Sequence, residues 1–290
     1  MRQNLRNIFL VARGEYVRWL MNPRMIMVLV LVILIREQII VPMMQAAAEM
    51  EQPLNGVEPC IAAANSGLIL LLLPLVYLVL TSSFPTVDGN ILFYIKRMGR
   101  GNWIAGEMLF QVFAALTYCV VFIIVTMAQT IRVSYFANGW SIPVTDYDKV
   151  LAEAASVRMD LIVPPNLYFQ MPPYKAFLLS YVLLFLFLML CSMFFLTGCL
   201  YSKKLIFFLL LVVQIVLGGA LYTIEHKGMW FFPVSHAILR THYRSYFRKY
   251  VFSPWLSIAI FAALILVLAV ISYRRAKKVN VDMIGGNLLT

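Results

Sequence analysis

Three histidines, four cysteines and one charged pair inside an apolar run are the residues with chemistry to offer. His226, His236 and His242 fall in one connection between apolar runs, at spacings of ten and six. Neither spacing makes a helical ligand pair, and no acid adjoins the latter two, so a metal site is not indicated. Cys60, Cys119, Cys191 and Cys199 form no CxxC pair. Three of them lie within apolar runs, where a thiol packs as a small hydrophobe. HExxH and GxxxxGK[ST] are both absent, and no histidine lies inside an apolar run to serve a membrane Ser/His protease. This reading assigns no catalytic residue and no cofactor to the chain; any ATP it uses is bound by another chain.

The charged pair is Arg36-Glu37. Charge inside a membrane span is costly and marks a functional position by default. Neighbouring helix positions point about 100° apart, so the two are not expected to neutralise each other on one face. Arg36 lies about 18 Å along its span, towards the outer leaflet. It either contributes to a translocation pathway or snorkels to the interface. A second basic set, Arg240, Arg244 and Arg248, steps by four and is expected to line one helical face. That helix either lies on the outer leaflet or gates a pathway.

The longest interruption on the side read as cytoplasmic is the hairpin 84–106. It holds Asp88, then Ile91, Leu92, Phe93, Tyr94 and Ile95, then Lys96, Arg97 and Arg100. Five consecutive apolar residues are unusual in an idle solvated loop, and a short helix docking into a soluble partner would account for them. Lys96 and Arg97 would meet the partner's acids or lipid headgroups.

The elements that must position these groups are membrane spans. The chain is 62% hydrophobic and 13% charged, about half the charged fraction of a soluble domain. Its mean hydropathy is +0.84. An all-α, polytopic membrane protein is expected, with spans at about 25–44, 61–83, 107–128, 176–200, 205–224 and 255–273, six in all. Pro74 should kink the second. No cleaved signal peptide is expected, and no internal repeat of the kind found in many secondary transporters is seen. Residues 1–24 read as an amphipathic helix lying at the membrane surface. Leu5, Phe9, Ala12, Tyr16 and Trp19 form its apolar stripe, and Arg2, Arg6 and Arg13 its basic edge.

With the N-terminus inside, fourteen lysines and arginines fall in inner segments and nine in the longer outer ones. Both termini, including the tail 274–290, are therefore expected in the cytoplasm, and the net charge of +11 needs no nucleic acid to explain it. Outer loops cover 129–175 and 225–254. In the first, Thr145 and Asp148 resemble a capping box ahead of a helix over Lys149–Val157. Pro164-Pro165 and Pro172-Pro173 then stiffen the return.

This layout resembles the permease subunit of ATP-binding-cassette exporters of the type-2 permease family. The elbow helix at 1–24, the six spans, the hairpin between spans two and three and the tight inner turn Tyr201–Lys204 carry the likeness over nearly the whole chain. So does the re-entry segment Arg97, Gly99, Arg100 and Trp103, similar to the family's R-x-G/S-R-x-x-W turn. Loop 129–175 is larger than the minimal family plan. The resemblance implies export through a pathway between two permease subunits, identical or related, in the plasma membrane. Two separate ATPase subunits would carry ATP and Mg, and the cargo would be a peptide, an antibiotic or another amphipathic molecule. It implies ATPase contact by Asp88, Phe93, Tyr94, Lys96 and Arg97. Arg36, Glu37, Arg240, Arg244 and Arg248 would lie at the pathway or outer gate; Arg2, Arg6, Arg13 and Trp19 would seat the elbow on membrane lipid. Two other readings stay open. A transporter driven by an ion gradient would use acids in its spans, with Glu37 and Glu107 as candidates. A membrane sensor or anchor would bind a ligand at 129–175.

Overall fold

The computed structural model describes residues 2–85, 95, 97–151, 157–244 and 249–278. It is about 80% helical. The long elements are α1 (Arg2–Leu20), α2 (Ile26–Ile35), α3 (Val41–Glu49), α4 (Glu58–Asn65), α5 (Gly67–Thr81), α6 (Arg100–Thr130), α7 (Pro173–Leu200), α8 (Lys204–Thr223) and α9 (Pro254–Ala276). A π-helical turn, Arg36–Ile40, joins α2 to α3. The described strands, Leu54–Asn55 and Ser134–Tyr135, pair in parallel over two residues.

Five helices are long and apolar enough to cross a bilayer: Pro23–Glu49, Arg100–Val133, Pro173–Leu200, Lys204–Thr223 and Pro254–Ala276. At 1.5 Å per residue each covers a hydrocarbon core of about 30 Å. The second expected span departs from this plan. It is two helices, α4 and α5, meeting at 78°, so a sixth crossing exists only if that bent pair is one. The bend is not at Pro74, which sits buried within a continuous α5. It falls at Ser66, whose φ of −69° and ψ of 124° are extended. The breakers are Asn65-Ser66-Gly67, residues that favour turns over helix interiors.

The passes share two ends. At one, Arg24 donates to Ser82 Oγ and Ser83 Oγ at 2.8 and 2.7 Å. Arg100 donates to the Lys277 carbonyl at 2.9 Å, and Arg275 stacks on Tyr201. This basic end gathers α1, the end of α5, the start of α6, the α7–α8 turn and the end of α9. The opposite, loop end gathers 50–57 and the described residues of 131–172 and 224–253. α7 is the axis: 67% of its apolar window is buried, against 17–39% for the other four.

Two helices are longer or deeper than the sequence indicated. The third pass starts at Arg100, not 107, so the expected hairpin 84–106 loses its return arm to α6. Gly99 makes the turn, at a φ of +84° that favours glycine. The N-terminal helix forms as expected but does not present the expected stripe to lipid. Val11, Ala12, Glu15 and Trp19 are buried against α6, while Leu5, Phe9, Leu10 and Val17 are exposed. The contact is close because of Gly106, where a Cβ would lie 2.6 Å from Val11 Cβ and 2.9 Å from the Ile8 carbonyl oxygen. Phe9 and Tyr16 meet Phe113 edge-on, and Tyr16 shares a 2.7 Å hydrogen bond with Thr117.

Candidate functional site

The first pass carries a polar face at its middle. Arg36 is thirteen residues from each end of Pro23–Glu49. The π turn is closed by i→i+5 bonds and holds more residues than an α turn, so neighbouring side chains diverge less. Arg36 and Glu37 consequently do pair, Nε to Oε1 at 3.7 Å, contrary to the expectation from α-helical geometry. Their side chains are 59% and 60% exposed, turned away from the protein's own core. Gln38 and Gln45 are exposed as well. Arg36, Met44, Gln45 and Gln129 line a groove of about 360 Å³ along this face. The polar face thus runs from mid-span to the loop end.

The loop end is knitted into one cap. The Glu58 carboxylate opens α4 and is fully buried. It accepts the Asn55 N–H at 3.0 Å, the Ser141 N–H at 2.6 Å and the Ser141 hydroxyl at 2.6 Å. Asn55 donates to the Ala137 and Gly139 carbonyls, and Tyr147 to the Glu49 carboxylate. Most of the expected helix over Lys149–Val157 falls at 152–156, outside the described residues; ahead of it the chain forms two four-residue turns, Ile142–Thr145 and Tyr147–Val150. Asp148 does not serve a capping box. It reaches forward to accept the N–H groups of Met159 and Asp160 at 3.0 and 2.6 Å, capping the next turn.

The expected basic helix through Arg240, Arg244 and Arg248 is not an α-helix. Leu239–His242 is a 3-10 turn, after which Tyr243 is extended and bridges Tyr250. Arg240 and Arg244 therefore share no helical face; Arg248 lies outside the described residues. The backbone leaves the helix because His242 is fully buried and tied on both sides. Its Nδ1 faces the Phe252 carbonyl at 2.9 Å and its Nε2 the His236 carbonyl at 3.2 Å.

The segment does not lie on a surface. Val234 to Leu239 are all buried, and Pro233 reaches a cavity of about 280 Å³ lined by Phe187, Leu190, Leu211 and Leu268. The stretch Pro233–Leu239 of this loop thus re-enters the bundle between α7, α8 and α9. His236 Nε2 donates to the Trp230 carbonyl at 2.9 Å, leaving Nδ1 to accept from the Ser257 hydroxyl at 2.8 Å. Burial holds both imidazoles below the ordinary histidine range.

Of the elbow residues, Arg6 and Arg13 are exposed, as a headgroup contact requires, and nothing is described of the Arg2 side chain. Trp19 is 2% exposed and inside the protein, which corrects its expected place at the membrane surface. At the hairpin, Arg97 is exposed; Asp88, Phe93, Tyr94 and Lys96 lie outside the described residues. Trp103 is buried in the first turn of α6.

Of the interior polar groups, sequence reasoning named only Glu107, as a candidate acid for ion coupling, and passed over Gln111 and Asn65. Glu107 and Gln111, one turn apart on α6, are fully buried, and among the described residues no side-chain oxygen or nitrogen of either makes a hydrogen bond of ordinary geometry. Trp19 Nε1 is in the same state. Asn65, at the α4–α5 break, donates to Ser180 Oγ at 2.9 Å and accepts the Arg240 N–H at 3.1 Å. The Asn-Ser-Gly triplet was the one local signal for this junction; the cross-chain partners leave none.

These features define a multi-pass helical membrane protein with a capped loop end and a re-entrant segment. Comparison with protein-family models, with curated proteins and with solved structures finds no match to this chain.

Proposed function

We propose that this chain is the membrane-embedded subunit of an ATP-driven exporter of the type-2 permease kind, and that two such subunits enclose the pathway. The observation that carries the reading is the mid-span polar face of Arg36, Glu37, Gln38 and Gln45. Lipid tails solvate such a face poorly, so it belongs against water or a second subunit. The basic end supplies the mechanical half. The return arm of the 84–106 hairpin continues into α6, which is fixed to α1 by the Gly106 contact and to α9 by the Arg100–Lys277 hydrogen bond. A cytoplasmic ATPase pressing on that hairpin would move α1, α6 and α9 together. Under this reading ATP and Mg stay on two partner ATPase subunits, Asp88, Phe93, Tyr94, Lys96 and Arg97 make the contact, and both termini are cytoplasmic in the plasma membrane.

The test is a mild-detergent pull-down of the tagged chain, with partners identified by mass and the eluate assayed for vanadate-sensitive ATP hydrolysis. A co-purifying ATPase whose association falls when Phe93 and Tyr94 become Ala supports the proposal. A chain that purifies without nucleotide-dependent activity overturns it. One observation favours a second reading: Glu107, a buried carboxyl group with no hydrogen bond of ordinary geometry among the described residues, is a feature of ion-coupled transport. Substrate movement driven by an imposed proton or sodium gradient in ATP-free vesicles, lost in Glu107→Gln, would establish that alternative.

A further inference from the structure

Arg240 is a cation without a counter-charge. Its backbone is held on both sides: its N–H donates to Asn65 Oδ1, and its carbonyl accepts from Asn166 Nδ2 at 2.6 Å. Its guanidinium makes no ion pair and no hydrogen bond among the described residues; Glu225, the nearest acid in sequence, is not paired with it. It lies over the Tyr222 ring, 5.1 Å from Cζ to centroid. Burial pulls its pKa down from the ordinary arginine value, yet a guanidinium does not lose its proton in proteins, so the charge stays. A half-buried charge with only an aromatic face beneath it lacks the hydrogen-bonding partners such groups normally find.

Its neighbours are also donors in want of an acceptor. The Tyr222 hydroxyl is covered by protein and has no hydrogen-bond partner among the described residues. The Tyr222 ring lies against Gly67, the first residue of α5, where a Cβ would come within 2.7 Å of a ring carbon. The first turn of α5 has no side-chain cap, so its leading N–H groups and the positive end of its dipole open toward the same place. A guanidinium, a phenol and a helix start therefore converge where α5 begins and α8 ends. Tyr222 is the penultimate residue of the spanning helix Lys204–Thr223, at the loop end. Leu68 beside it and Ile224 after it are 53% and 69% exposed, so the junction opens onto the surface that lipid covers.

We propose that Arg240, Tyr222 and the opening turn of α5 bind a phosphate group, carried by an anionic membrane lipid at the loop end. The guanidinium supplies charge and a planar fork suited to phosphate oxygens. The phenol and the free N–H groups complete the donor set. The bound lipid would brace the α4–α5 break against the re-entrant segment, since Asn65 already joins the two. The proposal does not depend on what the protein transports.

The test is native mass spectrometry of the purified full chain, titrated separately with phosphatidylglycerol, phosphatidylcholine and inorganic phosphate. Phosphatidylglycerol is expected to bind at least tenfold tighter than phosphatidylcholine, and Arg240→Gln to lose about tenfold of that affinity, the worth of one charge-assisted contact. Tyr222→Phe, which removes only the hydroxyl, should lose a few-fold and serves if Arg240→Gln does not fold. Saturable binding of inorganic phosphate, removed by the same substitutions, would place the source in solution and keep the phosphate site. Equal binding of the two lipids, or phosphatidylglycerol affinity unchanged in both folded variants, overturns the proposal.

Discussion

The Glu58 carboxylate takes two of its three donors from Ser141, 83 positions away in the chain. Both oxygens accept, and no donor on Glu58 is called for. Glu58→Gln keeps the shape but turns an NH2 group toward backbone N–H or hydroxyl donors. It should lower the stability of the cap by about 1–3 kcal/mol, the cost of a buried group left without its partner. Proteolytic nicking within 131–172 should rise in parallel; an unchanged melting temperature and nicking rate would contradict the assignment. The sequence marks Glu58 only as an acid before Pro59 at a helix start, which any surface helix could show.

His236 and His242 titrate by a different logic. Burial holds their folded-state pKa below the unfolded value, so near and below about pH 6.5 the unfolded segment binds more protons than the folded one. Stability of the re-entrant segment is therefore full at neutral pH and is lost as pH falls through the folded pKa. The protection factors of amides over 230–243, that is their exchange relative to the intrinsic rate at each pH, are expected to fall on acidification from pH 7.5 to about pH 5. Protection factors that stay flat or rise would mean that the two carbonyls facing His242 outweigh its burial.

At the level of elements, run length located the last three long apolar helices to within three residues at each end, because a bilayer-crossing helix must be continuously apolar and that property is local. The failures are equally physical. Helix α6 extends seven residues before the expected start because α1 covers its first turns, a tertiary contact that permits Arg100, Asn102 and Glu107 in one helix. The α1 stripe found much of the packing face, since Phe9, Tyr16 and Trp19 meet rings of α6 and Ala12 is buried, but it assigned that face to lipid, because Gly106, which receives Val11, sits on another helix. Gly106→Val should separate the two helices at a cost of about 1–3 kcal/mol, since the clash includes the Ile8 backbone and not only a movable side chain. Protease access to 1–20 is the readout, and an intact, equally protected α1 would refute the role of this contact. The break at Ser66 has a local signal in its three residues, but the expected kink was placed at Pro74, which α5 accommodates without a break.

For the whole molecule, the decisive question is what covers the outward face of the first pass. Apolar exposure on α8, such as Val213 at 51%, needs only lipid. Arg36, Glu37, Gln38 and Gln45 do not suit that neighbour, and a mutual ion pair at 3.7 Å leaves most of their hydrogen-bonding capacity unused. A water-filled pathway between two subunits satisfies these groups; a lipid seal would leave each one at a cost of several kcal/mol. Cysteine reactivity separates the cases, because maleimide attack needs a thiolate and so needs water. The native background is quiet: Cys60, Cys119 and Cys191 are buried and Cys199 is partly so. Gln45→Cys in membranes should react with a charged, membrane-impermeant maleimide, and Val213→Cys on the lipid face should not. Equal protection of both positions would put Gln45 in lipid or in a dry contact and remove the main support for a pathway on this face. Reaction at Gln45 that slows when two copies are cross-linked through α2 would place the water between subunits, where a polar mid-span face has a use.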